Sequence, residues 1–387
     1  SPEGAGGEAG RARSRRRGRP GAMSMSARTI LSGFALATSW TWCIGMFAPI
    51  LIGSLLGWPG IVAFAIPNIL GCALFGYLRS AEQSRRETRD HALAMALFSG
   101  ATVADHVFFA GFLWGAPLAE SMQATRGEGA SIAAGGVFAA AVALAALPRG
   151  VLWTLAALAY PISLATFALL PWDRLHGIQT VGEWQPGQLW LVLPTIVFGF
   201  MLSPNLDLTF HRARQEVPAG TAPHNFAVFG VTFGSMLALT CAYAAIGGGL
   251  NSPAVRAHMA VQLALTSALH LSELRLAAVG PKVRLAIGLG AGLAGLGAAL
   301  FDPSRDMYMR FLGLYGLLFP AYAALALRVG GRPSPRALAT LAVALAVSTP
   351  IIDRAFLEGP TLAAPLAVVL PLLAIVPFGR RARPIAA

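Results

Sequence analysis

The sequence predicts an all-α integral membrane protein of about twelve transmembrane helices. Three observations predict it. Of the 387 residues, 56% are hydrophobic and only 12% charged, where a soluble domain carries roughly 25% charged residues. Stretches of the roughly 20 mostly apolar residues that a spanning helix needs follow one another with short polar gaps, which leaves no room for a large soluble domain. Basic residues also gather in alternate gaps. With the N-terminus inside, sixteen Lys and Arg fall in inside gaps and six in outside gaps, apart from the seven arginines up to Arg28. That asymmetry places both termini in the cytoplasm. The expected location is the cytoplasmic (plasma) membrane. The net charge of +12 then reflects topology and anionic lipid, and calls for no nucleic-acid partner.

In chain order, residues 1–28 read as a disordered basic tail. The stretch "RARSRRRGRPGA" has no apolar run, so it is no signal peptide; Met23 or Met25 reads as a natural start. Residues 29–380 form one polytopic transmembrane domain, and 381–387 a short cytoplasmic tail. The apolar segments lie at about 30–56, 59–79, 91–117, 131–148, 150–171, 187–206, 222–248, 254–274, 283–301, 307–328, 336–355 and 361–379. "GWPG" at 57–60 and "LPRG" at 147–150 join two pairs by tight turns. Cys43, Cys72 and Cys241 all fall inside apolar segments without CxxC spacing, which is the setting of small buried hydrophobes.

The first segment has a peculiarity. "TSWTWCIGMFAPILIGSLLGWPGIVAFAIP" holds no charge, yet carries Gly45, Pro49, Gly53, Gly57, Pro59, Gly60 and Pro67. The sixth carries Pro194, Gly199 and then "SPNLD" at 203–207. These residues predict interruptions near Cys43–Pro49 and Gly199–Asp207. If segments 1–5 and 6–10 are two repeats, five helices each gives them opposite topology, with the interruptions at equivalent places. Paired broken helices in inverted halves point to a transporter's binding site, because freed backbone groups are tolerated at the midplane only if they line a cavity or hold an ion. Close helix packing through small residues explains the same glycines equally well.

"LGWPGIVAFAIPNILGCALFGYLR", "NLDLTFHRARQEVPAGTAPHNFAVFG" and "RFLGLYGLLFPAYAALALR" resemble the second helix, the end of the sixth and the tenth helix of sodium–solute symporters and their LeuT-fold relatives. The resemblance is spread over most of the chain. It implies a 5+5 inverted-repeat core, with the last two helices outside it, and alternating access around a midplane site. It also implies a sodium ion held by carbonyls near Cys43 and Met46 and by the hydroxyls of Thr266 and Ser267, residue types that suit a hard cation. Without the ion, those hydroxyls would simply bond the preceding helical turn. By the same resemblance, Asp207, His211 and Arg212 form an inner gate, with Asp207 or Arg212 pairing with another helix; an interfacial cap is the simpler alternative.

The remaining candidates come from the residues themselves. Asp105 and His106 lie within the third segment, where ionisable groups mark a functional site by default. Trp42, Gly45, Phe198, Gly199 and Asn205 stand at the interruptions and complete the expected solute contacts with Asp105 and His106. His270 and Glu273 read as interfacial. There is no Walker A pattern, and Lys282 is the only lysine, so ATP-driven transport by this chain alone is not expected. Three functions stay open: a secondary transporter of a small polar solute, which is not an enzyme and has no cofactor beyond a sodium ion; a membrane metalloenzyme using His106, His211, His224 and His270, although no HxxxH pair occurs; and a sensor or scaffold that keeps the fold without transport. The partners expected are the solute and the bilayer, and nothing in the sequence sets the oligomeric state.

Overall fold

A computed structural model describes residues 26–41, 43–177, 182–218, 220–246, 250 and 252–379. The basic tail up to residue 25, the C-terminal 380–387 and Trp42 lie outside the described residues. Helix α1 (Ala27–Trp40) begins inside the stretch read as tail, with the Ser26 hydroxyl accepting from the Thr29 N–H at 3.2 Å. Helix α2 (Cys43–Leu78) is two helices in series, joined at Gly57 with φ 64° and ψ −161°. Only glycine adopts that conformation without strain. The "GWPG" turn is therefore a single-residue reversal of direction, with Pro59 in the first turn of the helix that follows.

Helix α3 (Ala81–Asp90) was not expected; its residues read as a basic gap. Ser80 and Gln83 form a reciprocal capping box, a signature visible in the sequence. Helices α4 (Ala92–Met122), α5 (Arg126–Ala145) and α6 (Arg149–Ala168) follow. Helix α7 (Gln188–Leu202) passes through a 3₁₀ turn, Ser203–Leu206, into the short α8 (Leu208–Gln215). Then come α9 (His224–Ala245), α10 (Pro253–Leu276), α11 (Pro281–Phe301), α12 (Arg305–Val329), α13 (Pro335–Leu357) and α14 (Ala364–Ile375). Among the described residues the fold is all-helical, and nine helices are long and apolar enough to cross a membrane, counting α2 once. Helix α10 is not one of the nine, because it carries Arg256, His258, Gln262, His270 and Glu273.

Two breaks interrupt this pattern, the first displaced from its expected place and the second within the expected range. The first falls between Trp40 and Cys43, and the chain is helical through Cys43–Pro49. Pro49 has no N–H for the carbonyl four residues back, and that carbonyl, on Gly45, instead accepts from Thr240 Oγ1 at 2.9 Å. The bond from α9 lets the helix continue across the proline. The second break leaves α7 helical through Gly199 and falls at Ser203–Asp207. Pro204 withholds its N–H from the Phe200 carbonyl, which faces Cys72 Sγ at 3.9 Å.

Helices α4, α5, α10 and α11 pack on one another as one group; α1, α2, α7 and α9 form a second. Helix α6 lies against α1 and α10, α12 against α7, and α13 and α14 against α12. The α4–α5 seam is the closest approach: a Cβ on Gly129 would collide with the Gly115 backbone, as in membrane helix pairs that meet through small residues.

Candidate functional site

A helix that stops in a membrane leaves carbonyls without partners. At the first break those of α1 are met by α10. The Thr38 carbonyl accepts from Gln262 Nε2 at 2.8 Å and from Thr266 Oγ1 at 2.7 Å. Gln262 also reaches the Thr41 carbonyl at 3.3 Å, and His270 bonds the Ser39 backbone. Beyond the break, Tyr308 of α12 donates to the Cys43 carbonyl at 3.2 Å, and Tyr243 of α9 donates to that of Met46. Cys43 Sγ donates to Asp105 Oδ2 of α4 at 2.9 Å, leaving Oδ1 buried without a partner.

Three of the four residues expected to share a sodium ion are thus engaged elsewhere. Thr266 bonds Thr38 rather than Cys43 or Met46, and also accepts from Gln262 at 3.1 Å. The Cys43 and Met46 carbonyls are taken by tyrosines, and Ser267 Oγ is buried without a partner. Among the described residues, no group of three or more His, Cys, Asp and Glu side chains is placed to hold a metal ion.

At the second break, Asp207 caps α8 rather than lying within it: Oδ1 accepts from both the N–H and the hydroxyl of Thr209, each at 2.7 Å. Asp207 Oδ2 lies 4.0 Å from His270 Nε2, and both side chains are fully buried. One turn further along both helices, Arg212 Nε bonds Glu273 Oε2 at 3.0 Å, and Arg149 Nε of α6 bonds Oε1 at 3.0 Å. Glu273 is 2% exposed and each arginine 29%. Arg149 also pairs with Glu216 and lies over the Trp153 ring. His270 and Glu273, read as interfacial, are buried within the protein. His211 is buried as well, with Nδ1 2.9 Å from Ser84 Oγ of α3 and Nε2 3.0 Å from the Asn205 carbonyl.

A cavity of about 70 Å³ lies between α2, α7 and α12. Its wall is mainly apolar, with Ile44, Phe64, Gly199 and Leu312, and its polar members include Thr195, Ser203 and Tyr315. Thr195 Oγ1 is buried without a partner. Of the expected solute contacts, Gly199 is on this wall. Phe198 belongs instead to a separate apolar cluster with residues of α12, α13 and α14. Gly45 faces Phe233 of α9, and Asn205 is held by Arg79 Nη2 at 2.8 Å. Asp105 lies with Cys43, and His106 Nδ1 meets the Thr102 carbonyl of its own helix at 2.5 Å. Trp42 is outside the described residues. A larger cleft of about 620 Å³, lined by Arg28, Arg149, Glu216 and His224, opens at the end of the bundle that carries the arginine–glutamate cluster.

Sequence reasoning missed Gln262, Tyr243 and Tyr308. Gln262 offered a signal, an amide inside a hydrophobic segment; the tyrosines offered none, since nothing local ties them to carbonyls 197 and 265 residues away.

The long apolar helices make the chain an integral membrane protein. Its sequence matches no protein-family model and no curated protein.

Proposed function

We propose that this protein is a secondary transporter that moves a small solute by alternating access across the cytoplasmic membrane. The observation that carries the reading is a symmetry of packing. With helices 1–5 and 6–10 of the bundle as two repeats, α1 on α9 is the counterpart of α7 on α2. Likewise α1 on α6 matches α7 on α12, and α4 on α11 matches α10 on α5; all six contacts are extensive. The two broken helices occupy equivalent places in those repeats. Such an inverted repeat with paired breaks is the architecture of many secondary transporters, and agrees with the LeuT-fold arrangement of twelve helices with both termini inside.

In this reading the arginine–glutamate cluster closes the cytoplasmic side, and the cavity beside Gly199 and Thr195 holds the solute. Drug-sized ligands fill roughly 300–1,000 Å³, so about 70 Å³ admits only a small molecule. Its contacts are mostly apolar, with Thr195 and Ser203 as hydrogen-bonding handles. The hydrogen bonds around the first break give a static sensor or scaffold its best support, since they tie α1 to α10 and the start of α2 to α9 and α12.

The test is a thermal-stabilisation screen of the purified protein against small amino acids, amines and organic acids, followed by uptake of any hit into proteoliposomes. Gly199→Leu, which fills the cavity, should abolish both stabilisation and uptake while Gly290→Leu, with open space around it, should not. Stabilisation that survives Gly199→Leu removes the cavity from the site. Stabilisation without uptake favours the sensor.

A further inference from the structure

We propose that Asp207 and His270 are the binding site of the coupling ion, and that this ion is a proton. The inference rests on the transporter reading for the word coupling, but the site itself is a matter of geometry. Asp207 Oδ2 has no hydrogen-bond partner, is fully buried and lies 4.0 Å from His270 Nε2. The other oxygen is fully used by Thr209. His270 is steadied by Ser99 Oγ of α4 at 3.4 Å and by the Ser39 backbone. A carboxylate oxygen and an imidazole nitrogen therefore face each other across the seam between α8 and α10.

One proton makes this pair electrically neutral, held on the Asp207 carboxyl and facing the His270 imidazole. Without it, a carboxylate is left fully buried, hydrogen-bonded by Thr209 and the Phe210 N–H but without a compensating positive charge, and a buried charge without one is strongly disfavoured. The groups around the pair do not supply the missing positive charge. Cys72 of α2 and Tyr315 of α12 are within electrostatic reach of Asp207, and His106 of α4 is within reach of His270. Asp105 of α4 adds a second carboxyl, in reach of Tyr315. Arg212 and Arg149 are one turn away and committed to Glu273. Loss of the proton is thus relieved by water entering between α8 and α10 from the end where Arg212 and Glu273 meet. The proton-loaded site holds that seam closed and the empty site opens it, which is the linkage a coupling ion requires. Carbonyls that would suit a hard cation at the first break are meanwhile bonded by Gln262, Tyr243 and Tyr308.

The experiment uses the purified full chain, with protons and sodium chloride as the probes. Infrared difference spectra between acid and alkaline pH should show the C=O stretch of a protonated carboxylic acid that is lost in Asp207→Asn and kept in Asp105→Asn. Hydrogen exchange in residues 208–215, corrected for the chemical pH dependence, should rise on the order of tenfold as that band disappears, within the usual 5- to 150-fold range of coupling between sites. In Asp207→Asn the rise should be absent, and in His270→Gln its midpoint should move. A band unaffected by Asp207→Asn, exchange without pH dependence, or sodium-dependent stabilisation that persists in Asp207→Asn each overturns the proposal. None of these readouts needs a solute. Titration without solute flux leaves the proton site standing and removes transport; flux indifferent to a pH gradient, without titration, removes the proton site alone.

Discussion

Glu273→Gln keeps the volume of the side chain and removes the charge that both Arg149 and Arg212 bind at 3.0 Å. A hydrogen bond to a charged group contributes about 1.5–3 kcal/mol, and a buried ion broken from its partner costs about 3–5 kcal/mol. Neither figure applies in full. Each arginine is 29% exposed, so water replaces part of what it loses, and glutamine keeps one acceptor. About 2–3 kcal/mol remains for the pair of bonds. At about 1.4 kcal/mol per factor of ten, that is a roughly 30- to 140-fold greater population of structures in which α8 has left α10. Hydrogen exchange of residues 208–215 reads this population directly, because local opening sets the rate. Arg310→Gln is the control: its partner Asp353 lies 3.4 Å away on an exposed surface, where a pair contributes about 0–1 kcal/mol. A double-mutant cycle of Glu273→Gln with Arg212→Gln should return a coupling of at least about 1 kcal/mol. Less than a threefold change in exchange, or equal changes in Glu273→Gln and Arg310→Gln, would refute the assignment of this cluster as the closure of the basic end.

Gly57→Ala should lower thermal stability by about 1–3 kcal/mol, the usual cost of a non-glycine residue in that backbone region, whereas Gly136→Ala, in open space on α5, should not; equal melting temperatures would mean the turn relaxes. Burial raises the Glu87 carboxyl above its ordinary 4.5, against the opposing pull of Arg79 and Arg86. The folded state then holds that proton more tightly than the unfolded state, so this contribution to stability is full in acid and is lost as pH rises past the raised value. Glu87→Gln should match the parent below about pH 4.5 and melt higher at neutral pH, and a constant difference across that window would contradict the shift. Alkaline phosphatase fused after Gly127 should be active and after Arg383 inactive; activity at both would break the twelve-span topology.

Much of the helical framework was legible because membrane helices announce themselves by composition alone. The same physics hid the details of the breaks. A proline marks where an N–H is missing, but the position of the break depends on whether another helix supplies a donor. Thr240 rescues the Gly45 carbonyl opposite Pro49, so the helix survives there and stops instead at Thr41, whose own sequence gives no warning. The expected gate was partly readable: Arg212 does pair with another helix, but the partner, Glu273, and the second arginine, Arg149, come from segments 61 and 63 residues away in opposite directions. Phe198 and Gly199 looked alike as neighbours of a break. Their difference, one in the apolar cluster with α12, α13 and α14 and the other on the cavity wall, is a matter of helical phase that flanking sequence does not set.

The donors that complete the first break arrive late in synthesis. Thr38 waits for Gln262 and Thr266, separations of 224 and 228 residues, and Thr41 for Gln262. Until those segments leave the ribosome, the earliest membrane segment carries exposed carbonyls that lipid cannot satisfy. It must therefore be sheltered by water or by the insertion machinery through most of translation. A nascent chain halted before α10 would hold these carbonyls open, while one halted after α10 would hold them closed. The break thus ties the end of the first helix to the completion of α10.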